Sequence, residues 1–123
     1  MSEPKTITID DVQYVRADSM QEPAPEVDGL KYCVVRTYSA GVHIGYVKDF
    51  AKENPQQATL IDSRRLYYWD GAASLSQVSQ DGVNSNSKIT IKVPEITLTD
   101  IIEIIPCSIK AADFFKGAPE WKM

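Results

Sequence analysis

Three successive segments of this chain alternate residue by residue in the period of a pleated strand, which confines the middle of the protein to antiparallel sheet. In residues 30–38, Leu30, Tyr32, Val34, Arg36 and Tyr38 fall on one side, and Lys31, Cys33, Val35 and Thr37 on the other. Both sides are half apolar, the mark of a central strand covered on both faces. Ser39, Ala40 and Gly41 form a turn tight enough for a hairpin. Residues 42–49 make the returning strand, with Val42, Ile44 and Tyr46 set against His43, Gly45 and Val47. After a turn at residues 53–56, residues 58–69 (ATLIDSRRLYYW) read as a third, long strand.

The flanks complete an α+β pattern that is mainly antiparallel β. Residues 5–9 and 12–16 form an N-terminal hairpin with Asp10 and Asp11 at its turn. Residues 17–29, with Pro23 and Pro25 and four acids, have no apolar period and read as an exposed connector. Residues 72–80 predict a short helix after Trp69, capped by Asp70 and closed at Gly82. Residues 88–93 and 96–105 predict strands separated by a break at Pro94, the second ending at Pro106. Residues 108–116 predict a C-terminal helix capped by Ser108, with Gly117 at its C-cap and Pro119 beyond. The expected architecture is one domain over residues 1–123: hairpin 1–16, connector 17–29 and core 30–123. The core is a bent sheet or small barrel of about six strands with two helices.

Composition narrows the function classes. No apolar run approaches the ~18 residues of a membrane span, and the polar N-terminus does not read as a secretory signal. Two cysteines 74 positions apart and a single histidine make neither a disulfide framework nor a multi-histidine metal site. The net charge of −4 argues against general binding to nucleic-acid phosphates. The charge is uneven, however. Residues 1–29 hold seven acids and two bases, whereas residues 30–68 hold six bases and three acids. A cationic patch inside an acidic protein suits a small anionic ligand while repelling bulk polyanions.

No motif of acid–base, nucleophilic or phosphate-loop chemistry is present. His43 lies between Val42 and Ile44 and reads as a packed or surface side chain, while Cys33 and Cys107 read as buried, inert thiols. Asp10, Asp11 and Asp62 are turn-type acids with no metal-ligand spacing, so neither a metal nor a cofactor is expected. The distinctive run is Arg64 to Trp69, and seven of the eleven aromatics lie between Tyr32 and Trp69. Strict alternation would put Arg65, Tyr67 and Trp69 on one face, a guanidinium beside two rings suited to a planar base and a phosphate. Arg36 and Tyr38 form a second such pair on the neighbouring strand. Free backbone N–H groups at residues 72–74 would add an anion site. An aromatic strand serves equally well as core or as subunit interface.

The sequence stretches Arg36-Thr37-Tyr38-Ser39-Ala40-Gly41-Val42-His43-Ile44-Gly45, Arg64 to Gln77 (RRLYYWDGAASLSQ) and Ile101 to Cys107 (IIEIIPC), with Trp121-Lys122, resemble an uncharacterised domain family of small tailed-bacteriophage proteins. The resemblance spans nearly the whole chain. It implies a viral origin and a place in the host bacterial cytoplasm, and it carries no assigned site. The expected function is that of a non-enzymatic phage protein that counters bacterial defence by binding a nucleotide-like small molecule or a host protein, through Arg36, Tyr38, Arg65, Tyr67 and Trp69. The alternative is a virion- or replication-associated assembly protein. Strands apolar on both sides in so short a chain also imply a homo-oligomer.

Overall fold

A computed structural model describes residues 6–9, 12–15, 21–48 and 56–123. Strands β1 (Thr6–Ile9) and β2 (Val12–Val15) pair antiparallel as a two-stranded sheet of their own. The Asp10-Asp11 turn, residues 17–20 and the expected turn at residues 53–55 lie outside the described residues. The main sheet has six antiparallel strands: β3 (Tyr32–Thr37), β4 (Val42–Lys48), β5 (Ala58–Tyr68), β6 (Lys88–Ile89), β7 (Val93–Leu98) and β8 (Ile101–Pro106). Its order is β6-β5-β4-β3-β8, with β7 also on the outer edge of β5. The helices are α1 (Leu75–Asp81) and α2 (Ile109–Gly117). The architecture is therefore α+β and mainly antiparallel, and the sheet is open.

The sheet is forced to curl. β7 and β8 lie at opposite edges, four strand spacings apart, which would be about 19 Å in a flat sheet. Yet Leu98 and Ile101 are separated only by Thr99 and Asp100, a link that spans at most about 11 Å. Curling gathers Cys33, Val35, Ala58, Leu60, Leu98 and Ile101 into a core on the inner face. The outer face carries the larger core, where Tyr32, Val34, Ile44, Tyr46 and Leu66 pack against Val78 of α1 and Ala111, Ala112 and Phe115 of α2.

β5 does not keep a strict two-residue period, because two bulges interrupt it. Between Ile44↔Arg64 and Tyr46↔Ile61 it gains one residue, with Asp62 in the left-handed region (φ 52). Gly45 lies opposite, and a β-carbon there would meet the Ile61 carbonyl oxygen at 3.0 Å and Ser63 Cα at 3.1 Å. A second shift, between Leu66↔Ile89 and Tyr68↔Lys88, leaves Tyr67 unmatched. The first bulge explains why Ser63 and Arg64 are both buried.

Five boundaries differ from the sequence expectation. The expected strand 88–93 breaks at Thr90 into β6 and β7, and the expected strand 96–105 divides at Thr99 and Asp100. Pro94 falls inside β7 rather than ending a strand, which an edge strand tolerates. Helix α1 starts at Leu75 with Ser74 as N-cap, not Asp70. Ser74 Oγ accepts the Gln77 N–H at 3.3 Å and Gln77 Oε1 accepts the Ala73 N–H at 2.8 Å, so a side chain already occupies one of the donors offered for an anion there. Asp70 instead accepts from the Gly71 N–H and from Asn84 Nδ2. Gly117 is the last residue of α2 and Ala118 is its C-cap.

The described part of the connector is exposed but tied down. The Ala24 N–H donates to the Cys107 carbonyl at 3.0 Å, and the Ile109 N–H to the Glu22 carbonyl at 2.9 Å. At the same corner Ser108, only 1 % exposed, accepts from the Ala111 N–H at 3.1 Å and donates to the Gln80 carbonyl at 2.6 Å. It joins the end of α1 to the start of α2. Ser108→Ala is expected to cost about 2 kcal/mol, one lost cap plus one buried carbonyl left short of a donor. Chemical denaturation at an unchanged m-value measures this; a loss below about 0.5 kcal/mol contradicts it.

Candidate functional site

The two adjacent arginines of β5 have opposite roles. Arg64 is 1 % exposed and donates only to backbone carbonyls. Its Nε reaches Thr90 at 3.0 Å, its Nη1 reaches Phe115 and Ala118 at 2.7 Å each, and its Nη2 reaches Ile89 at 3.4 Å and Pro119 at 3.2 Å. The guanidinium thus closes the C-terminal end of α2, where a cation is favoured by the helix dipole and where Gly117 supplies no left-handed cap. Burial lowers its pKa first, and Tyr32 and Glu120 act in the other direction. Arg64 holds the fold together and is closed to any ligand.

On the same outer face, the register sets Arg36 beside Val42 and Val42 beside Leu66. Trp69 follows the end of β5 and packs against the helix-side core. Arg36, Val42, Trp69, Ser74, Leu75, Ser76 and Glu103 line one open cleft of about 440 Å³. One charged fork and one indole therefore border a space of small-molecule size. Glu103 sits opposite Arg36 on β8, and the N-cap Ser74 and Ser76 in the first turn of α1 line the other side.

The remaining expected residues are dispersed. Arg65 pairs with His43 on the inner face, away from Arg36. Tyr67, released by the second bulge, stacks on Trp121 with ring centroids 5.0 Å apart and planes 15° from parallel. Lys88 Nζ sits 5.2 Å from the centre of the Trp121 ring. Tyr38 follows β3 and is 84 % exposed. The expected single face of Arg65, Tyr67 and Trp69 is not formed, because the bulge at Tyr67 and the end of β5 turn the three in different directions. Trp121 is the aromatic partner that alternation does not reveal: its position is set by the Trp121 N–H bond to the Ile89 carbonyl, 2.8 Å long.

Cys33 and Cys107 are each 2 % exposed. Burial pushes their thiols up to about 11 and about 12, so both are protonated and unreactive near neutrality. Among the described residues no cluster of three or more His, Cys, Asp or Glu could hold a metal ion, and no helix is long and apolar enough to cross a membrane. One family matches, over residues 30–115, under the description domain of unknown function (DUF6948). No curated protein and no solved structure matches the chain.

Proposed function

The chain belongs to this DUF6948 family, and on that footing we propose that it is a non-catalytic binding protein whose Arg36–Trp69 cleft takes a nucleotide-like ligand. The observation that supports this is the union of Arg36 and Trp69 on one cleft of about 440 Å³. An indole offers a stacking surface to a planar base, and a solvent-facing guanidinium pairs with a phosphate in a two-pronged geometry. Glu103 offers an acceptor to an amino or hydroxyl group of the same ligand. The resemblance of the segments around Arg36, Arg64 and Ile101 to tailed-phage proteins supports a setting in the cytoplasm of an infected bacterium. Sequestering a nucleotide-like signal there would blunt a host defence.

Calorimetry with nucleoside 5′-monophosphates and the corresponding nucleosides tests this reading. Arg36→Ala is expected to weaken monophosphate binding about tenfold or more, and Trp69→Ala to weaken monophosphate and nucleoside alike by a similar factor. Arg36 is exposed, so its variant keeps the wild-type melting temperature. Equal binding of monophosphates by wild type and Arg36→Ala rules the cleft out. The exposed rings of Tyr38, Tyr67 and Tyr68 favour a second reading, an assembly surface for copies of this chain or a virion component. Recovery of the protein in purified particles would select it.

A further inference from the structure

We propose that the inner face carries a second and separate site, a groove between His43, Ser63 and Arg65 that takes a small oxyanion bearing its own proton, of the hydrogen phosphate class. The groove encloses about 300 Å³ and is lined by His43, Ser63, Arg65, Thr90, Val93 and Ile96. His43 and Arg65 are direct partners across β4 and β5, and Ser63 stands two residues before Arg65. The bulge at Asp62 brings Ser63 to this face while Arg64 keeps to the other. No acid lines the groove, so its charge favours an anion over a cation.

The polar groups within it are incomplete. His43 is 1 % exposed and Ser63 2 %. Nε2 of His43 lies 2.9 Å from the Ala40 carbonyl, which can only accept, so Nε2 carries the ring proton and Nδ1 is a bare acceptor. Neither Nδ1 nor the Ser63 hydroxyl has a hydrogen-bond partner in the protein, and neither is sealed away from the groove. The Arg65 guanidinium forms no ion pair among the described residues. The Arg65 backbone is fixed instead: its N–H donates to Thr90 Oγ1 at 3.1 Å, and its carbonyl accepts from the Thr90 N–H at 3.0 Å. Both atoms face the groove, where a matching ligand can take the place of the solvent that serves them.

The match is specific. Arg65 supplies paired donors to two oxygens, Ser63 supplies a third donor, and Nδ1 asks for a proton from the ligand. Burial holds His43 below its ordinary pKa; the Ala40 carbonyl opposes this, Arg65 reinforces it and Asp100 opposes it. Asp100 itself accepts from the Ser39 N–H and hydroxyl. Hydrogen phosphate carries the proton that Nδ1 needs. Sulfate at neutral pH does not, and would set an oxygen lone pair against a nitrogen lone pair. Such a mismatch at a buried polar atom separates ligands by at least about tenfold.

Calorimetric titration of the intact chain at pH 7.5 with inorganic phosphate and then with sulfate is the test. The expected results are saturable phosphate binding with Kd near or below about 1 mM and sulfate weaker by about tenfold or more. Arg65→Gln should weaken phosphate about tenfold, Ser63→Ala should weaken it severalfold with the melting temperature kept, and Arg36→Ala should bind phosphate as wild type does. Absence of saturable phosphate binding, equal affinity for sulfate, or unchanged binding in Arg65→Gln would each overturn the proposal. Because Arg36 lies on the opposite face, loss of nucleotide binding leaves this result standing, and the converse holds too.

Discussion

Replacing Arg64 by methionine is expected to cost about 3–5 kcal/mol, since it strips the carbonyls of Thr90, Phe115, Ala118 and Pro119 of their donor at once and leaves that of Ile89 with the Trp121 N–H alone. Methionine fills much of the volume and removes the buried charge, which offsets part of the loss. The Phe115 carbonyl in particular, buried at the end of α2, has no replacement partner. For a domain of this size the melting temperature should fall by on the order of 10–20 °C. Arg64→Lys should recover less than half of it, because one ammonium with three donors cannot span acceptors on β6, α2 and the tail together. A methionine variant that melts within about 3 °C of wild type would show that the guanidinium is not the pin of the C-terminal helix.

The second large effect is expected at Gly45. A β-carbon there would press on two backbone positions, Ile61 at 3.0 Å and Ser63 at 3.1 Å, and neither can swing away as a side chain would. Gly45→Ala should therefore cost about 2–3 kcal/mol by forcing β4 and β5 apart at the bulge. Gly117→Ala is the matched control. Its β-carbon meets nothing within 4 Å, so alanine in α2 should be neutral or stabilising by up to about 1 kcal/mol. Equilibrium denaturation of the pair gives the contrast directly, and equal stabilities would remove the steric account of Gly45.

Alternation located β3, β4 and β5 to within two residues, because both faces of these strands are buried and their side chains must follow the pleat. It failed where the pleat itself is broken. Asp62 and Ser63, two turn-forming residues opposite a glycine, carried a trace of the bulge, but a period of two has no place for an unmatched residue. Alternation puts Arg64 and Arg65 on opposite faces, but nothing in the period of two shows that Arg64 is buried and bonded to backbone carbonyls. Alternation groups Trp69 with Arg65 and Tyr67, and Arg36 with Tyr38, whereas Trp69 and Arg36 line one cleft in the structure. Their meeting depends on pairing between β3, β4 and β5 and on the chain turning after Tyr68. From the sequence His43 reads as a packed or surface side chain, and its spare ring nitrogen is visible only with the Ala40 carbonyl in place.

The two-residue link between β7 and β8 has a kinetic meaning. β3, β4 and β5 pair through neighbouring hairpins, whereas β8 must find β3 across most of the domain, with Pro106 opposite Cys33. Loop-closure entropy penalises that late pairing, and nothing covers the far side of β8 in the described sheet. The join at Thr99 and Asp100 is thus a clasp that holds the two opposite edges of the curled sheet together. Its latch is small: the Tyr38 N–H to the Asp100 carbonyl at 2.9 Å, the Ile101 N–H to the Gln56 carbonyl at 2.9 Å, and the Ser39 side chain on Asp100. Unfastened, the clasp would bare Leu98 and Ile101, so those few bonds guard the seal of the inner core.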